Sequence, residues 1–266
     1  MITILSPAKT QDFESPLAVR EDDTIRFGTP RFLEEAEILM EALRGKSLGE
    51  LARLMKLKDH LAELTGERHS RWTRDAHRPR DAHRPRDAHR NGARPALHAF
   101  RGEVYRGLEV ETLSGKELLF AQKSLRILSG LYGILRPLDL ILPHRLEMDT
   151  ALETSRGRTL YRFWGGALAE ELNRSTPVVV NLASQEYFRA LPATVLTVPV
   201  VTPVFRERSG TTSRVVGVYA KRQRGRMARY ILDHRVEDPE ALRKYDLEGY
   251  RFDEASSSES EWVFLR

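Results

Sequence analysis

Lysine and serine side chains next to a predicted strand end are the first groups that could do chemistry. Lys9 stands in a turn that begins with Ser6 and directly follows the mostly apolar residues 1–5. Ligands of open α/β sheets usually bind at strand ends, and the compact charge of a lysine suits a phosphate or a carboxylate. We therefore take Lys9 as an anion-binding candidate and Ser6 as part of the same pocket. A solvated surface lysine is the alternative interpretation.

A run of positive charge toward the C-terminus is the second candidate. Residues 208–232 contain seven basic side chains and no acidic one: Arg208, Arg214, Lys221, Arg222, Arg224, Arg226 and Arg229. Solvent-exposed helices usually interleave both signs, so this one-sided charge favours an anionic partner. We predict that Lys221, Arg224 and Arg226 contact phosphate without reading base sequence.

A third group of polar residues follows a β-branched run at residues 178–180, which predicts a strand buried on both faces. Ser184, Glu186 and Tyr187 come just after that run, and Ser257 stands in a serine triplet near the C-terminus. Together with the lysine of the N-terminal turn, they could line a pocket for a small phosphate- or nucleotide-like substrate. Neither a phosphate-binding P-loop nor a Gly-x-Gly-x-x-Gly or Gly-x-Ser-x-Gly motif is present. No catalytic residue is therefore defined, and enzymatic activity is left open.

Residues 129–136 place Gly130 and Gly133 between two apolar stretches. This arrangement resembles a helix-hairpin-helix connection, in which glycines let backbone amides approach DNA phosphate. On that interpretation, Tyr132 and Arg136 join the residues that contact DNA. The alternative is that both side chains pack and pair internally.

A tandem hexapeptide, Arg-Asp-Ala-His-Arg-Pro, fills residues 74–91 with three copies, the last ending in Asn91. Proline at this period disfavours helix, so we expect an expanded, low-complexity surface loop at about 73–94. Its three histidines are metal-binding in type, but such a loop would not fix their geometry. Cysteine is absent from the chain. We therefore predict no metal site and no cofactor.

Composition indicates an ordinary globular protein, because 41% of the 266 residues are hydrophobic and 30% are charged. The net charge of +5 is local, since the arginine-rich residues 68–101 alone outweigh it. No run of 18 apolar residues could cross a membrane, and residues 1–6 lack the features of a secretory signal. We expect one soluble, cytoplasmic domain over residues 1–266, monomeric and without membrane contact.

Predicted strands and helices alternate along the chain. Strands are predicted at residues 1–5, 178–180, 195–201, 215–219 and 262–265, and helices at 30–43, 47–55, 114–130, 159–172, 227–236 and 239–245. Capping boxes at residues 47–50 and 114–117 mark two helix starts. The pattern predicts a mixed α/β fold, in which helices surround a central mixed β-sheet.

Several stretches, taken in order along the chain, carry a resemblance to a known family. They are Ser6-Pro-Ala-Lys-Thr10, Leu125-Arg-Ile-Leu-Ser-Gly-Leu-Tyr-Gly-Ile-Leu-Arg-Pro-Leu-Asp139, Arg145-Leu-Glu-Met148, Asn181-Leu-Ala-Ser-Gln-Glu-Tyr187 and Pro203-Val-Phe205. Together they resemble the bacterial YaaA peroxide-stress family over nearly the whole chain. The resemblance implies a peroxide-stress protein that limits damage from free intracellular iron. It also implies a mixed α/β fold and DNA binding through a positively charged cleft. We predict that the DNA is duplex or branched and is bound without sequence preference.

Two features depart from that family pattern. The loop that holds the hexapeptides is longer than expected by about two copies. Thr202 stands where the family pattern leads us to expect a lysine, which removes one charge from the implied cleft.

Overall fold

The N-terminal strand lies at the centre of the sheet. In the computed structural model, which describes residues 1–17, 25–78, 92–210 and 212–266, all four residues of β1 (Ile2–Leu5) are buried. This strand pairs in parallel with β5 (Leu125–Ser129) on one side and with β8 (Val179–Asn181) on the other. Continuous apolar runs are typical of parallel strands that are covered on both faces. Because the three strands are parallel, their carboxyl ends meet at one edge of the sheet.

Further strands extend this sheet on both sides, in the order β11-β12-β9-β8-β1-β5-β6 with β10 paired to β9. The parallel additions are β9 (Val200–Ser209) beside β8 and β12 (Glu261–Leu265) beside β9. The antiparallel additions are β6 (Gly133–Leu135) beside β5, β10 (Thr212–Arg214) beside β9 and β11 (Arg251–Phe252) beside β12. Two short ladders lie apart from it, β2 (Thr10–Gln11) with β4 (Phe100–Arg101) and β3 (Arg94–Pro95) with β7 (Leu140–Ile141).

Helices surround the sheet and complete the predicted mixed α/β fold in one domain. They are α1 (Leu33–Arg44), α2 (Leu48–Met55), α3 (Asp59–Arg71), α4 (Ala96–Ala99), α5 (Glu103–Leu108), α6 (Gly115–Ser124), α7 (Leu160–Trp164), α8 (Ala167–Ser175), α9 (Gln185–Phe188) and α10 (Gly217–Asp233). Ser47 and Ser114 form the two predicted capping boxes with Glu50 and Glu117. Within the described parts of the chain, no helix is long and apolar enough to span a membrane.

Three predictions made from apolar runs are wrong, wholly or in part. The strand predicted at residues 195–201 begins only at Val200, as β9. The helix predicted from residue 114 ends at Ser124, because the next five residues form β5 and pair with β1 and β6. The predicted helix-hairpin-helix at residues 129–136 is therefore a β-hairpin between β5 and β6. Residues 215–219 do not form the predicted strand, because α10 begins at Gly217.

The first hexapeptide copy is part of the fold, contrary to the expectation of a surface loop. Arg74–His77 forms a short 3-10 helix, and His77 is fully buried. Arg74 forms ion pairs with Glu34 and Glu37 of α1 at 2.7 and 3.3 Å. Residues 79–91, which hold the other two copies, lie outside the described residues.

A buried hydrogen-bond network joins this copy to the β5–β6 hairpin. The Tyr132 hydroxyl accepts hydrogen bonds from the Trp72 indole at 2.9 Å and from the Leu142 amide at 3.2 Å. It also lies 2.8 Å from Nε2 of His77, whose Nδ1 is 2.9 Å from the carbonyl oxygen of Thr73. Because Nδ1 has to donate to that carbonyl, Nε2 accepts the proton of the Tyr132 hydroxyl. The network thus fixes both the ring orientation and the neutral state of His77.

Buried histidines lead us to expect a loss of stability in mild acid. Burial lowers the pKa of His69, His77 and His144 to about 4. Between pH 6.5 and 4 the unfolded chain therefore binds more protons than the folded one, so the free energy of unfolding falls as the pH drops. Burial also lowers the pKa of His98, to about 3. Asp139 and Glu186 act in the opposite direction, because burial raises the pKa of both, that of Asp139 to about 6, but they are two groups against four histidines. Urea titrations at pH 7 and pH 5 should differ by about 2 kcal/mol or more. Equal unfolding free energies at the two pH values would contradict this expectation.

Candidate functional site

A cavity of about 420 Å³ opens at the sheet edge where β1, β5 and β8 end. It is lined by residues 6–11 after β1, by Ser129 at the end of β5 and by residues just after β8. The start of α5, residues 144–147 and the first half of α10 also line it. We call this cavity the cleft. It occupies the place where ligands of open α/β sheets usually bind.

Ser6 and Ser184 hold the two central turns of the cleft together. The Ser6 hydroxyl accepts a hydrogen bond from the Ser184 amide at 2.8 Å and donates one to the Ser184 hydroxyl at 3.2 Å. The Tyr105 hydroxyl of α5 donates to the Ser6 carbonyl oxygen at 3.0 Å. The segment that carries Lys9 is therefore anchored both to the turn that follows β8 and to α5.

Two glycines allow α10 to reach the cleft, because they let it cross α5 at very short range. A Cβ atom at Gly225 would lie 1.9 Å from the Val104 carbonyl oxygen, and one at Gly107 would lie 2.2 Å from the Arg222 carbonyl oxygen. Glycine is the residue that permits such an approach between backbones. In the turn that directly precedes Gly225, α10 places two basic residues, Lys221 and Arg224, at the cleft.

Three cations of the cleft have no anionic partner. Lys9, Lys221 and Arg224 line the cavity, and within the described residues none of their side chains forms an ion pair or a hydrogen bond. Lys221 and Arg224 are three residues apart on α10, so they share one face of the helix. Arg224 is half-buried, and this desolvation lowers its pKa. An arginine in that position is stabilised when an anion binds.

Two other arginines of the cleft are already neutralised. Arg101 pairs with Asp12 at 3.0 Å and with Glu111 at 2.7 Å, and Arg145 pairs with Glu147 at 3.2 Å. Sequence reasoning did not single out either arginine, because no local pattern shows that the chain returns to the cleft there. Arg145 does lie within one of the stretches that carry the family resemblance.

Glu186 is the acidic group that remains in the cleft. Burial and then the nearby charges of Asp149 and Glu147 raise its pKa, whereas the charge of Lys9 lowers it. One carboxyl oxygen, Oε1, is buried without a hydrogen-bond partner in the described part of the chain. Beside it, burial and the Glu186 charge raise the pKa of the Tyr187 hydroxyl. The cleft therefore combines three unpaired cations with one carboxyl group that takes up a proton more easily than usual.

The structure brings seven of the eleven predicted site residues together in the cleft: Ser6, Lys9, Ser184, Glu186, Tyr187, Lys221 and Arg224. The other four lie elsewhere. Tyr132 is fully buried in the network described above, so it is not available to DNA. Arg136 pairs with Asp139 at 3.4 Å.

Arg226 and Ser257 are also engaged within the protein. Arg226 forms ion pairs with Glu109 and Glu248, both at 3.2 Å. The Ser257 hydroxyl donates to the Asp253 carbonyl oxygen at 2.7 Å and accepts from the Val263 amide at 2.9 Å. Both side chains therefore stabilise the fold around the cleft and do not line it.

Thr202, at the position where a lysine was expected, lies on β9 and accepts a hydrogen bond from the Asn181 side chain at 3.3 Å. In the described residues, no group of three or more His, Cys, Asp or Glu side chains is arranged to hold a metal ion. The absence of a metal, of a cofactor and of a partner subunit stays a prediction, as does the cytoplasmic location.

Fold and cleft together define the class: a mixed-sheet α/β protein with a cationic cleft at the carboxyl ends of its parallel strands. Residues 1–256 match the family model described as peroxide stress protein YaaA. The chain therefore belongs to the YaaA peroxide stress protein family, which supports a general role in oxidative stress.

Three UPF0246 proteins from other bacteria are similar to this chain over nearly the full length of both proteins. A UPF0246 protein of Aromatoleum aromaticum is 46% identical over 275 residues, which cover 100% of this chain and 99% of the relative. A UPF0246 protein of Paracidovorax citrulli is 45% identical over 271 residues, covering 100% and 98%. A UPF0246 protein of Neisseria gonorrhoeae is 41% identical over 271 residues, with the same coverage.

Proposed function

We propose that this protein binds DNA, duplex or branched and without sequence preference, through the cleft. Binding would protect DNA during peroxide stress and limit the damage that iron and peroxide cause there. The observation that carries the proposal is that three cations, Lys9, Lys221 and Arg224, line one cavity and form no ion pair with any described carboxylate. Phosphate is the anion that such a set of lysine and arginine side chains binds well.

Exposed cations on the neighbouring elements extend this positive surface. Arg208 of β9, Arg214 of β10 and Arg222 of α10 are exposed, and in the described residues none of their side chains has an ion pair. Charges of this kind raise association rates with polyanions even without direct contact. Further unpaired cations on β9, β10 and α10 favour a long phosphate backbone as the ligand over a small anion.

The experiment is to measure affinity for a fluorescent 20-base-pair duplex by anisotropy at low salt. We expect Lys221→Ala/Arg224→Ala to weaken binding by about tenfold or more, because two phosphate contacts are lost. The matched control, Arg214→Ala/Arg222→Ala, removes the same charge from exposed positions outside the cleft and should cost less than about threefold. Equal losses in the two variants would show that net charge, and not the cleft, determines binding.

A second candidate function is an enzyme that acts on a small phosphate- or nucleotide-like substrate in the same cleft. The observation that favours it is the confined volume of about 420 Å³ together with the proton-accepting Glu186. Calorimetric titration with mononucleotides and inorganic phosphate tests it. Micromolar affinity that is lost in Lys221→Ala/Arg224→Ala, with no binding of the duplex, would favour this candidate over DNA binding.

A further inference from the structure

A second cavity lies beside the cleft and shares a wall with it. It encloses about 580 Å³ between the C-terminal half of α3, the segment after β2 and residues 142–143. Gln11 lines both cavities, and its side-chain oxygen accepts a hydrogen bond from the His144 amide at 3.1 Å. Pro143 and His144 are chain neighbours that line one cavity each. The two cavities are therefore adjacent, separated by a wall of one or two residues.

Arg68 of α3 is the unpaired cation of this second cavity. Its side chain forms neither an ion pair nor a hydrogen bond in the parts of the chain that the structure describes, although it is half-buried. Desolvation and then the like charge of Arg145, which lines the cleft, lower its pKa. By contrast Arg71, in the same cavity, pairs with Glu67 at 2.6 Å.

A half-buried arginine without a partner costs free energy until an anion reaches it. Glu14 and Glu67 attract Arg68 from a distance, but neither comes within ion-pairing range of it. Arg145 of the cleft is close enough to Arg68 to lower its pKa, in keeping with the thin wall between the two cavities.

We propose that Arg68 forms a second phosphate subsite, so that a DNA strand bound at Lys221 and Arg224 continues over Gln11 into the second cavity. This inference rests on the proposed DNA binding and specifies the ligand further. A ligand that reaches both cationic positions carries several phosphates along one chain, which a mononucleotide does not.

The test compares a fluorescent duplex with a mononucleotide on the same variants. Arg68→Ala should weaken duplex binding about fivefold and reduce the salt slope by about one phosphate contact. It should leave mononucleotide affinity unchanged, and Arg68→Lys should retain most of the duplex affinity. Glu14→Gln should strengthen duplex binding, because it removes the competing negative charge. The control is Arg71→Ala, which removes the same charge from the same helix and cavity.

Each outcome decides the inference. Equal effects of Arg68→Ala and Arg71→Ala on the duplex would overturn the subsite while leaving DNA binding by the cleft intact. Failure of the unaltered protein to bind the duplex at low salt would overturn both the proposed function and the subsite. A duplex effect specific to Arg68, absent for the mononucleotide, supports the subsite.

Discussion

Gly225→Ala is expected to destabilise the protein and to weaken DNA binding in the same variant. The new methyl group would lie 1.9 Å from the Val104 carbonyl oxygen and 2.9 Å from the Leu108 amide, so α10 has to move away from α5. Alanine favours helix over glycine by about 1 kcal/mol, but forced overpacking of this kind costs more, and we expect a net loss of about 2 kcal/mol. Because the displaced helix carries Lys221 and Arg224, duplex affinity should fall by about fivefold or more.

Gly217→Ala is the matched control for this prediction. Gly217 begins the same helix, and a Cβ atom there would meet nothing within 4 Å. Urea unfolding should show it to be neutral or slightly stabilised, with unchanged duplex binding. If Gly225→Ala behaved like Gly217→Ala in both measurements, the close helix crossing would not be what positions the two cations.

Tyr132→Phe removes only the hydroxyl oxygen at the centre of the buried network, and we expect a large loss of stability. The hydroxyl bonds the Trp72 indole, the Leu142 amide and His77, and each of these groups would be left without a partner in the core. Each buried group left unpaired costs about 1–3 kcal/mol, so the free energy of unfolding should drop by roughly 3 kcal/mol or more. The phenyl ring retains the packing volume, which separates this effect from that of a cavity.

Tyr230→Phe serves as its control, because the Tyr230 hydroxyl has no hydrogen bond in the described residues, while its ring packs against Tyr245 and His234. Removing that hydroxyl should change stability by less than about 0.5 kcal/mol. Comparable losses for the two variants would argue against a special role of the Tyr132 network.

Local signals in the sequence predicted much of the fold correctly. The β-branched run at 178–180 indicated a buried central strand, and the serines of two capping boxes marked the starts of α2 and α6. The errors at residues 125–136 and 215–219 share one cause. A short apolar run fits either a strand or a helix, and only its partners in the folded chain decide which forms.

Spacing on α10 explains why the site was predicted only in part. Lys221 and Arg224 are one turn apart and reach the cleft together, whereas Arg226 is two residues from Arg224 and lies on another side of the helix. This helical spacing, read from the sequence, distinguishes Arg226 from Lys221 and Arg224. The partners of Arg226 on distant elements, Glu109 and Glu248, follow from no local pattern.

His77 is buried although its sequence context predicts an exposed position. Its hexapeptide is polar, repeated and interrupted by proline, which favours a surface loop. The first copy nevertheless packs in the core, because Tyr132 and the Thr73 carbonyl oxygen satisfy both ring nitrogens of the histidine. Tertiary contacts of this kind override a compositional signal.

The most direct test of the cleft is the salt dependence of duplex binding, measured for the unaltered protein, Lys221→Ala/Arg224→Ala and a deletion of residues 80–91. Each phosphate contact contributes about 0.9 to the slope of log affinity against log salt, so the double variant should lose roughly two units of slope. The deletion removes two hexapeptide copies and should leave the slope unchanged. No binding at low salt, or a slope that falls only with the deletion, would contradict DNA binding by the cleft.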